Sequence, residues 1–203
     1  MNIVEQLHAG LDAGVDRHWR YTKEMFDIKP EYLMTIAVAD ALSAGYDGID
    51  GMDVQIKLEC PTREIAYQLV TAAAGLTQWF AVKKDMKISR KGRADILSSA
   101  NGKSHIVELK GFDPSKAQIE KELLRIQELF ALNGGANSLV AAHVVFPSLV
   151  SCQKRLEKYG RTLLSGSKLK FEVHCKKQET DEDPEDGMPV YFTNSLSVSR
   201  VDA

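Results

Sequence analysis

Residues 92–111, GRADILSSANGKSHIVELKG, predict two adjacent β-strands joined by a tight turn. Apolar and polar residues alternate on both sides of Asn101-Gly102, and this dipeptide strongly favours a two-residue type I′ turn. Such a turn fixes which residues face one another, because each step back along one strand matches one step forward along the other. Leu97 therefore faces Ile106, and the stretch predicts a hairpin with a defined register.

That register brings acidic side chains together at the end of the hairpin away from the turn. Asp95 lies opposite Glu108, and Lys110 follows on the same face of its strand. Directly opposed like charges destabilise a strand pair, so stability alone does not account for this arrangement. A divalent cation would relieve the repulsion, because Mg²⁺ prefers carboxylate and carbonyl oxygens. We interpret the pair as a candidate metal site; the alternative is a surface hairpin whose carboxylates pair only with Arg93, Lys103 and Lys110.

The composition is that of a globular protein with room for a sizeable core. The chain has 203 residues, 44% apolar and 27% charged, with a formal net charge of −2, which fits one domain over 1–203. No apolar run approaches the ~18 residues that a membrane helix needs, and residues 1–14 do not resemble a signal peptide. Cys60, Cys152 and Cys175 show no ligand-like spacing. We therefore expect a cytoplasmic protein with reduced thiols and no membrane association.

The spacing of apolar residues and of glycine and proline predicts the order of the elements. The predicted helices lie at about 30–44, 61–75 and 114–132, and the predicted strands at about 53–59, 91–99, 104–110 and 138–146. A helical segment precedes them, and a helix and two strands follow. In the helix at 114–132, Asp113 is the expected N-cap and Pro114 the first residue. The apolar stripes predict two buried helix faces, formed by Met34, Val38 and Leu42 and by Ile119, Leu123, Ile126 and Phe130.

The charge is unevenly distributed along the chain. Residues 179–186, ETDEDPED, carry six acids and no base, and predict a solvated loop. Residues 83–93, KKDMKISRKGR, carry six bases and one acid directly before the hairpin. A basic run is usually a solvated surface, but it can also contact a phosphate backbone. The candidates for such contacts are Lys87, Arg90, Lys91 and Arg93.

The hairpin resembles the two half-motifs of the PD-(D/E)XK nuclease superfamily. GRADI, with Asp95, is similar to the first half-motif, and VELKG, with Glu108 and Lys110, is similar to the second. The resemblance covers residues 28–147 and departs from the family in two respects. Ala94 replaces the usual proline, and the helix at 61–75 is inserted between the first two strands. On the later helix, Gln118 is the nearest candidate for the glutamine that some branches carry, and the resemblance makes it a further candidate nucleic-acid contact.

This resemblance implies the fold class: an α/β (α+β) protein with a restriction-endonuclease-like αβββαβ core. The mixed sheet would be flanked by helices, with N-terminal helical and C-terminal αββ additions. Residues 148–203 would form the C-terminal elaboration of a single nuclease domain.

The resemblance also implies Mg²⁺-dependent hydrolysis of phosphodiester bonds, with Mn²⁺ able to substitute. Asp95, Glu108 and the Leu109 carbonyl would be metal ligands, together with Glu31 from the first helix of the core. Lys110 would orient or deprotonate a water or stabilise the transition state. The expected partner is nucleic acid, DNA ahead of RNA, and the expected reaction is endonucleolytic. Because one site cuts one strand, cutting both would require a homodimer, a larger complex or two events.

Two other classes of function fit the same sequence. One is a nucleic-acid-binding module that keeps the fold without the chemistry. The other is a protein-interaction module that uses the acidic loop at 179–186. His105 and His143 fit a structural role better than a catalytic one, because His105 points away from Glu108 and His143 lies in an apolar run.

Overall fold

The structure is a computed structural model, and it describes residues 2–23, 31–46, 53–69, 92–132, 138–178 and 189–201. The helices are α1 (Ile3–Thr22), α2 (Glu31–Tyr46), α3 (described over 62–69), α4 (Lys116–Leu132) and α5 (Gln153–Leu163). The strands are β1 (Val54–Pro61), β2 (Arg93–Ala100), β3 (Lys103–Leu109), β4 (Leu139–Ser148), β5 (Leu169–Gln178) and β6 (Tyr191–Arg200). The predicted acidic loop at 179–186 lies outside the described residues.

The six strands form one mixed sheet in the order β1-β2-β3-β4-β6-β5. Strands β1, β2 and β3 pair antiparallel, and β4 pairs parallel to β3 after the chain has crossed through α4. Strand β6 then pairs antiparallel with both β4 and β5. The predicted class, a mixed sheet flanked by helices with a C-terminal αββ addition, is confirmed at this level. Over the described residues, no helix combines the length and apolarity needed to cross a bilayer.

The predicted hairpin is confirmed in its register and its turn. Leu97 pairs with Ile106, as expected. Asn101 and Gly102 have φ values of 50° and 73°, the left-handed values that both central residues of a type I′ turn require. Because side chains alternate across a strand, this register fixes which residues of β2 and β3 face α4.

Each face of the sheet carries its own hydrophobic core. Side chains from α4, α5 and the described part of α3 cover one face, packing on residues such as Leu97 and Ile106. Side chains from α1 and α2 cover the other face, packing on Ile96 and Val107. Neighbouring residues of β2 and β3 thus enter opposite cores, as the alternation predicts. The two predicted apolar stripes are buried: Met34, Val38, Leu42, Ile119, Leu123, Ile126 and Phe130.

Helix α1 is held to the rest of the domain by a close contact and by buried polar groups. A Cβ atom at Gly10 would lie 2.5 Å from the Val38 Cα atom of α2, so only glycine permits this approach. On β6, Thr193 Oγ1 lies 2.6 Å from His8 Nδ1, and Ser195 Oγ lies 3.1 Å from His8 Nε2. The imidazole of α1 is therefore satisfied by hydroxyl groups of the sheet.

Helix α4 begins later than the sequence predicts. It starts at Lys116, where Ser115 and Gln118 form a capping box. The Ser115 N–H donates to Gln118 Oε1 at 2.8 Å, and the Gln118 N–H lies 3.4 Å from Ser115 Oγ. Asp113 has a left-handed φ of 47° and accepts a hydrogen bond from Arg155 at 2.9 Å. The prediction of Asp113 as N-cap was wrong, because a serine and glutamine spaced for a capping box lie two residues further on.

Candidate metal and active site

Asp95 and the end of β3 are joined by a short hydrogen bond. The Leu109 N–H donates to Asp95 Oδ2 at 2.6 Å. Ile96 pairs with Val107 in the hairpin register, which brings Asp95 level with Glu108 on the next pair of positions. Asp95 and Glu108 are thus the next residues beyond this pair on their two strands, and Glu108 faces α4.

Glu108 is a buried carboxylate, only 2% exposed. Its Oε2 atom accepts a hydrogen bond from Arg125 Nη1 of α4 at 3.3 Å. Its Oε1 atom lies 3.3 Å from Arg125 Nη2 as an ion pair, yet it accepts no hydrogen bond from the described residues. Buried carboxylate oxygens rarely lack a hydrogen-bond donor, so the contact of Oε1 with Arg125 is an ion pair without hydrogen-bond geometry.

Lys110 follows the last residue of β3 and is the third of the predicted catalytic residues, after Asp95 and Glu108. Its Nζ atom donates to the Leu109 carbonyl at 2.7 Å and lies 3.4 Å from Glu122 Oε1 of α4. The other oxygen of Glu122 lies 3.3 Å from Arg125 Nη1. Glu108, Arg125, Glu122 and Lys110 thus form a chain of alternating charges, which we call the ionic chain.

Two further acids lie at the edge of this cluster. Glu31, in the first turn of α2, accepts a hydrogen bond from the Gly111 N–H at 3.1 Å. Glu59 belongs to β1, between residues that pair with Ile96 and with Ala94, and has a left-handed φ of 50°. Both carboxylates raise the pKa of Asp95, so both act electrostatically on the site.

Burial controls the protonation of the two central acids. It raises the pKa of Asp95 to about 6, against the opposing effects of Lys110 and the Leu109 N–H. It raises the pKa of Glu108 to about 8, although Arg125 favours the ionised form. Elevated pKa values in adjacent carboxyl groups are typical of acid–base or cation-binding sites. A bound cation would favour the loss of both protons.

The cluster offers two neighbouring carboxylates, Asp95 and Glu108, as oxygen donors for a cation. Among the described residues, no three histidine, cysteine, aspartate or glutamate side chains converge as a metal cage. Mg²⁺ usually binds through one or two carboxylates and completes its shell with water and phosphate oxygens. Asp95 and Glu108 match that requirement. The Leu109 carbonyl, also predicted as a ligand, is already bound by the Lys110 ammonium.

The predicted nucleic-acid contacts are not tested by the structure and stay predictions. Lys87, Arg90 and Lys91 lie outside the described residues. Arg93 is exposed at the start of β2, where it remains available to a ligand. The side chain of Gln118 accepts a hydrogen bond from the Ser115 N–H at the N-terminus of α4. It makes none of the contacts described for Asp95, Glu108 and Lys110.

Glu122 and Arg125 are the members of the site that sequence reasoning missed. Both side chains are buried, at 4% and 8% exposure. They flank the apolar stripe of α4, since Glu122 lies one turn after Ile119 and Arg125 directly precedes Ile126. Their position at the edge of a buried apolar stripe was the signal in the sequence that could have identified them as members of the site.

Comparison with known proteins yields little information about this chain. No protein-family model and no solved structure matches it. A curated protein of Methanosarcina acetivorans, provisionally named (R)-citramalate synthase CimA, is 32% identical over 136 residues. The match covers 67% of this chain and 27% of that protein, so the chain spans about a quarter of the relative's length.

We expect the stability of the metal-free protein to peak near pH 6.5. Burial lowers the pKa values of His8, His105 and His143 to about 4, 4 and 3. These imidazoles take up protons on unfolding, so stability is lost as the pH falls below 6.5. The pKa shifts of Asp95 and Glu108 change stability with pH in the opposite direction. Their raised pKa values mean that the folded state binds their protons more tightly than the unfolded state does. Stability is therefore lost as the pH rises toward about 6 for Asp95 and toward about 8 for Glu108.

Above pH 6.5, Glu108 is the last of these five groups to titrate. The free energy of unfolding should fall by at most ~1.4 kcal/mol per pH unit up to about pH 8. Chemical denaturation in EDTA at a series of pH values measures this slope. Glu108→Gln should flatten it, whereas Glu120→Gln, at a partly exposed ion pair with Lys116, should leave it unchanged. A slope that persists in Glu108→Gln would contradict this assignment.

Proposed function

We propose that this chain is a Mg²⁺-dependent nuclease that hydrolyses phosphodiester bonds, with DNA as the substrate and internal cutting as the reaction. One observation carries the proposal. The buried Glu108 carboxylate, whose Oε1 atom is ion-paired with Arg125 but accepts no hydrogen bond from the described residues, lies near the charges of Asp95 and Lys110. Two carboxylates can hold a cation that activates a water for phosphodiester hydrolysis, and a nearby lysine can act on that water or on a phosphate oxygen.

The order of the elements supports the restriction-endonuclease-like fold for this function. From α2 to β4 the chain runs helix, three antiparallel strands, helix, and a strand parallel to the third. The described part of α3 is an addition to that αβββαβ order. Asp95 and Glu108 then fall on the second and third strands, which is where the resemblance assigns the catalytic acids.

Each residue of the cluster has a distinct role in this proposal. Asp95 and Glu108 would hold the cation, and Glu31 would add negative charge from α2. Bound Mg²⁺ would lower the pKa of a water ligand and neutralise charge that develops on the phosphate. Lys110 would direct its ammonium toward a phosphate oxygen or the attacking water. Arg93, exposed at the start of β2, would hold the backbone without reading bases.

A non-catalytic nucleic-acid-binding module on the same fold is the second candidate. The observation in its favour is the ionic chain itself, in which Arg125 already balances Glu108 and Lys110 already balances Glu122. The two acids and two bases of the ionic chain thus pair with one another without a metal ion. The synthase name of the Methanosarcina acetivorans protein describes that protein, of which this chain matches only 27%.

A cleavage assay with the wild-type protein separates these candidates. Supercoiled plasmid, linear duplex, single-stranded DNA and RNA are each incubated with Mg²⁺, Mn²⁺ or EDTA, while calorimetry measures Mg²⁺ binding directly. Plasmid nicking that needs Mg²⁺ or Mn²⁺ and stops in EDTA is the expected result. Nucleic-acid binding without any cutting, and without Mg²⁺ uptake, would replace the nuclease by the binding module. Cutting that persists in EDTA would reject the metal-dependent mechanism.

A further inference from the structure

Glu122 is the member of the ionic chain that contacts both of its cations. Its Oε1 atom lies 3.4 Å from Lys110 Nζ, and its Oε2 atom lies 3.3 Å from Arg125 Nη1. Arg125 in turn reaches Glu108 and also donates to Thr62 Oγ1 at 3.1 Å. A single carboxylate on α4 therefore connects the predicted lysine to the predicted glutamate.

The burial of Glu122 indicates a specific need for its charge. The residue is 4% exposed, and a carboxylate so far from solvent is costly unless its partners are held in good geometry. Replacing such a buried ion network as a whole by well-packed apolar residues is often neutral or stabilising, whereas removing one partner is not. Retaining an acid at this position is more readily explained by what it holds than by the stability it adds.

Of the two cations that Glu122 contacts, Lys110 is the one whose side chain most needs to be held in place. A lysine ammonium ends a flexible four-carbon chain, and its rotamers must be restricted before it can act at a fixed point. Besides Glu122, the hydrogen bond of 2.7 Å to the Leu109 carbonyl restrains Lys110. That carbonyl belongs to the adjacent residue and leaves the rotation of the long side chain incompletely defined. Arg125 is different, because Glu108 and Thr62 restrain it as well.

We propose that Glu122 is a positioning residue of the nuclease: from α4 it holds the Lys110 ammonium beside the Asp95 and Glu108 carboxylates. This role rests on the proposed function, because it is a role toward the lysine of that reaction. Glu122 itself would touch neither substrate nor metal. Its effect would be exerted on the rate of the chemical step through Lys110, with little effect on the binding of DNA.

The kinetic test uses Glu122→Gln, which keeps the shape and removes the charge. We expect kcat for plasmid nicking to fall about 10-fold to 100-fold, the usual cost of losing an outer partner of an active-site group. KM for DNA should change less than about 3-fold. Glu122→Asp, which keeps the charge on a shorter side chain, should recover part of kcat. Glu120→Gln is the matched control on the same helix.

A double-variant cycle tests whether Glu122 acts through Lys110. In a Lys110→Met background, Glu122→Gln should cost less than about 2-fold, because the group that it positions is already absent. A loss in that background equal to the loss in wild type would overturn the proposal, since Glu122 would then act independently of the lysine. Wild-type kcat in Glu122→Gln would overturn it equally.

A readout without catalysis keeps this proposal separate from the nuclease assignment. Acetylation by a water-soluble N-hydroxysuccinimide ester, followed by peptide mass spectrometry, measures the reactivity of Lys110. The rate should rise at least about 5-fold in Glu122→Gln and stay unchanged in Glu120→Gln, with far-ultraviolet circular dichroism confirming that each variant is folded. If no variant cuts nucleic acid, the nuclease assignment fails, but a raised Lys110 rate still supports the positioning contact. An unchanged Lys110 rate in folded Glu122→Gln overturns the contact itself.

Discussion

Asp95→Asn is expected to lower Mg²⁺-dependent DNA cleavage by about 10³-fold, equivalent to ~4 kcal/mol of transition-state stabilisation. The substitution removes a negative charge from the proposed cation site. It preserves the local structure, because the Asn carbonyl can accept the Leu109 N–H as Asp95 Oδ2 does now. The nicking rate of supercoiled plasmid at saturating Mg²⁺ gives the ratio, and Lys110→Met should show a loss of similar size.

The melting temperature of Asp95→Asn shows whether a loss of activity comes from the site or from unfolding. Burial raises the pKa of Asp95, so the ionised carboxylate is unfavourable in the folded state and a neutral amide fits the same surroundings. Asp95→Asn should therefore melt at the wild-type temperature or above it while losing activity. Glu120→Gln should keep both properties. Loss of activity together with a large drop in melting temperature would indicate a structural role for Asp95. Full activity in Asp95→Asn would contradict the proposed site.

Arg125→Met is expected to lower the free energy of unfolding by roughly 3–5 kcal/mol near pH 8. The guanidinium contacts Glu108, Glu122 and Thr62 in the interior, and removing it leaves two buried carboxylates without their shared cation. The loss should be smaller near pH 5, because burial raises the pKa of Glu108 to about 8 and a proton then neutralises it. Urea denaturation at the two pH values measures both the loss and its pH dependence.

The companion variants for Arg125 separate unpaired charge from lost packing. Adding Glu108→Gln to Arg125→Met removes the acid whose ion pair in the described part of the chain is with Arg125, so the double variant should regain at least ~1 kcal/mol. Arg161→Met is the surface control, since Arg161 is largely exposed and pairs with Glu157 one turn away on α5. That change should cost less than ~0.5 kcal/mol. Equal losses in the single and double Arg125 variants would show that lost packing, and not unpaired charge, is the cause.

The hairpin was predictable because its determinants are local. The backbone at Asn101-Gly102 must adopt positive φ values, and that requirement alone fixes the register of β2 against β3. Leu97 opposite Ile106 follows directly and is what the structure has. The start of α4 was predicted less well, because Asp113 and Ser115 both favour a helix start and the capping box formed with Gln118 decided between them.

The electrostatic partners of the site were not predictable from local patterns. Glu122 and Arg125 reach Lys110 and Glu108 only because α4, the crossover between β3 and β4, packs on that face of the sheet. Glu31 reaches the Gly111 N–H from a helix about eighty residues earlier in the chain. Contacts of this kind depend on how layers pack and leave no fixed spacing in the sequence.

The sequence by itself determined the hairpin, the buried stripes of the helices and the proximity of Asp95 and Glu108. These follow from turn chemistry and from side-chain periodicity, which act over a few residues. Only the tertiary structure decided that Arg125 and Glu122 join those acids in the interior, and that Glu108 is buried enough for its pKa to rise to about 8. The physical reason is that the pKa of a carboxyl group depends on its distance from water and from other charges, and packing between distant segments sets both.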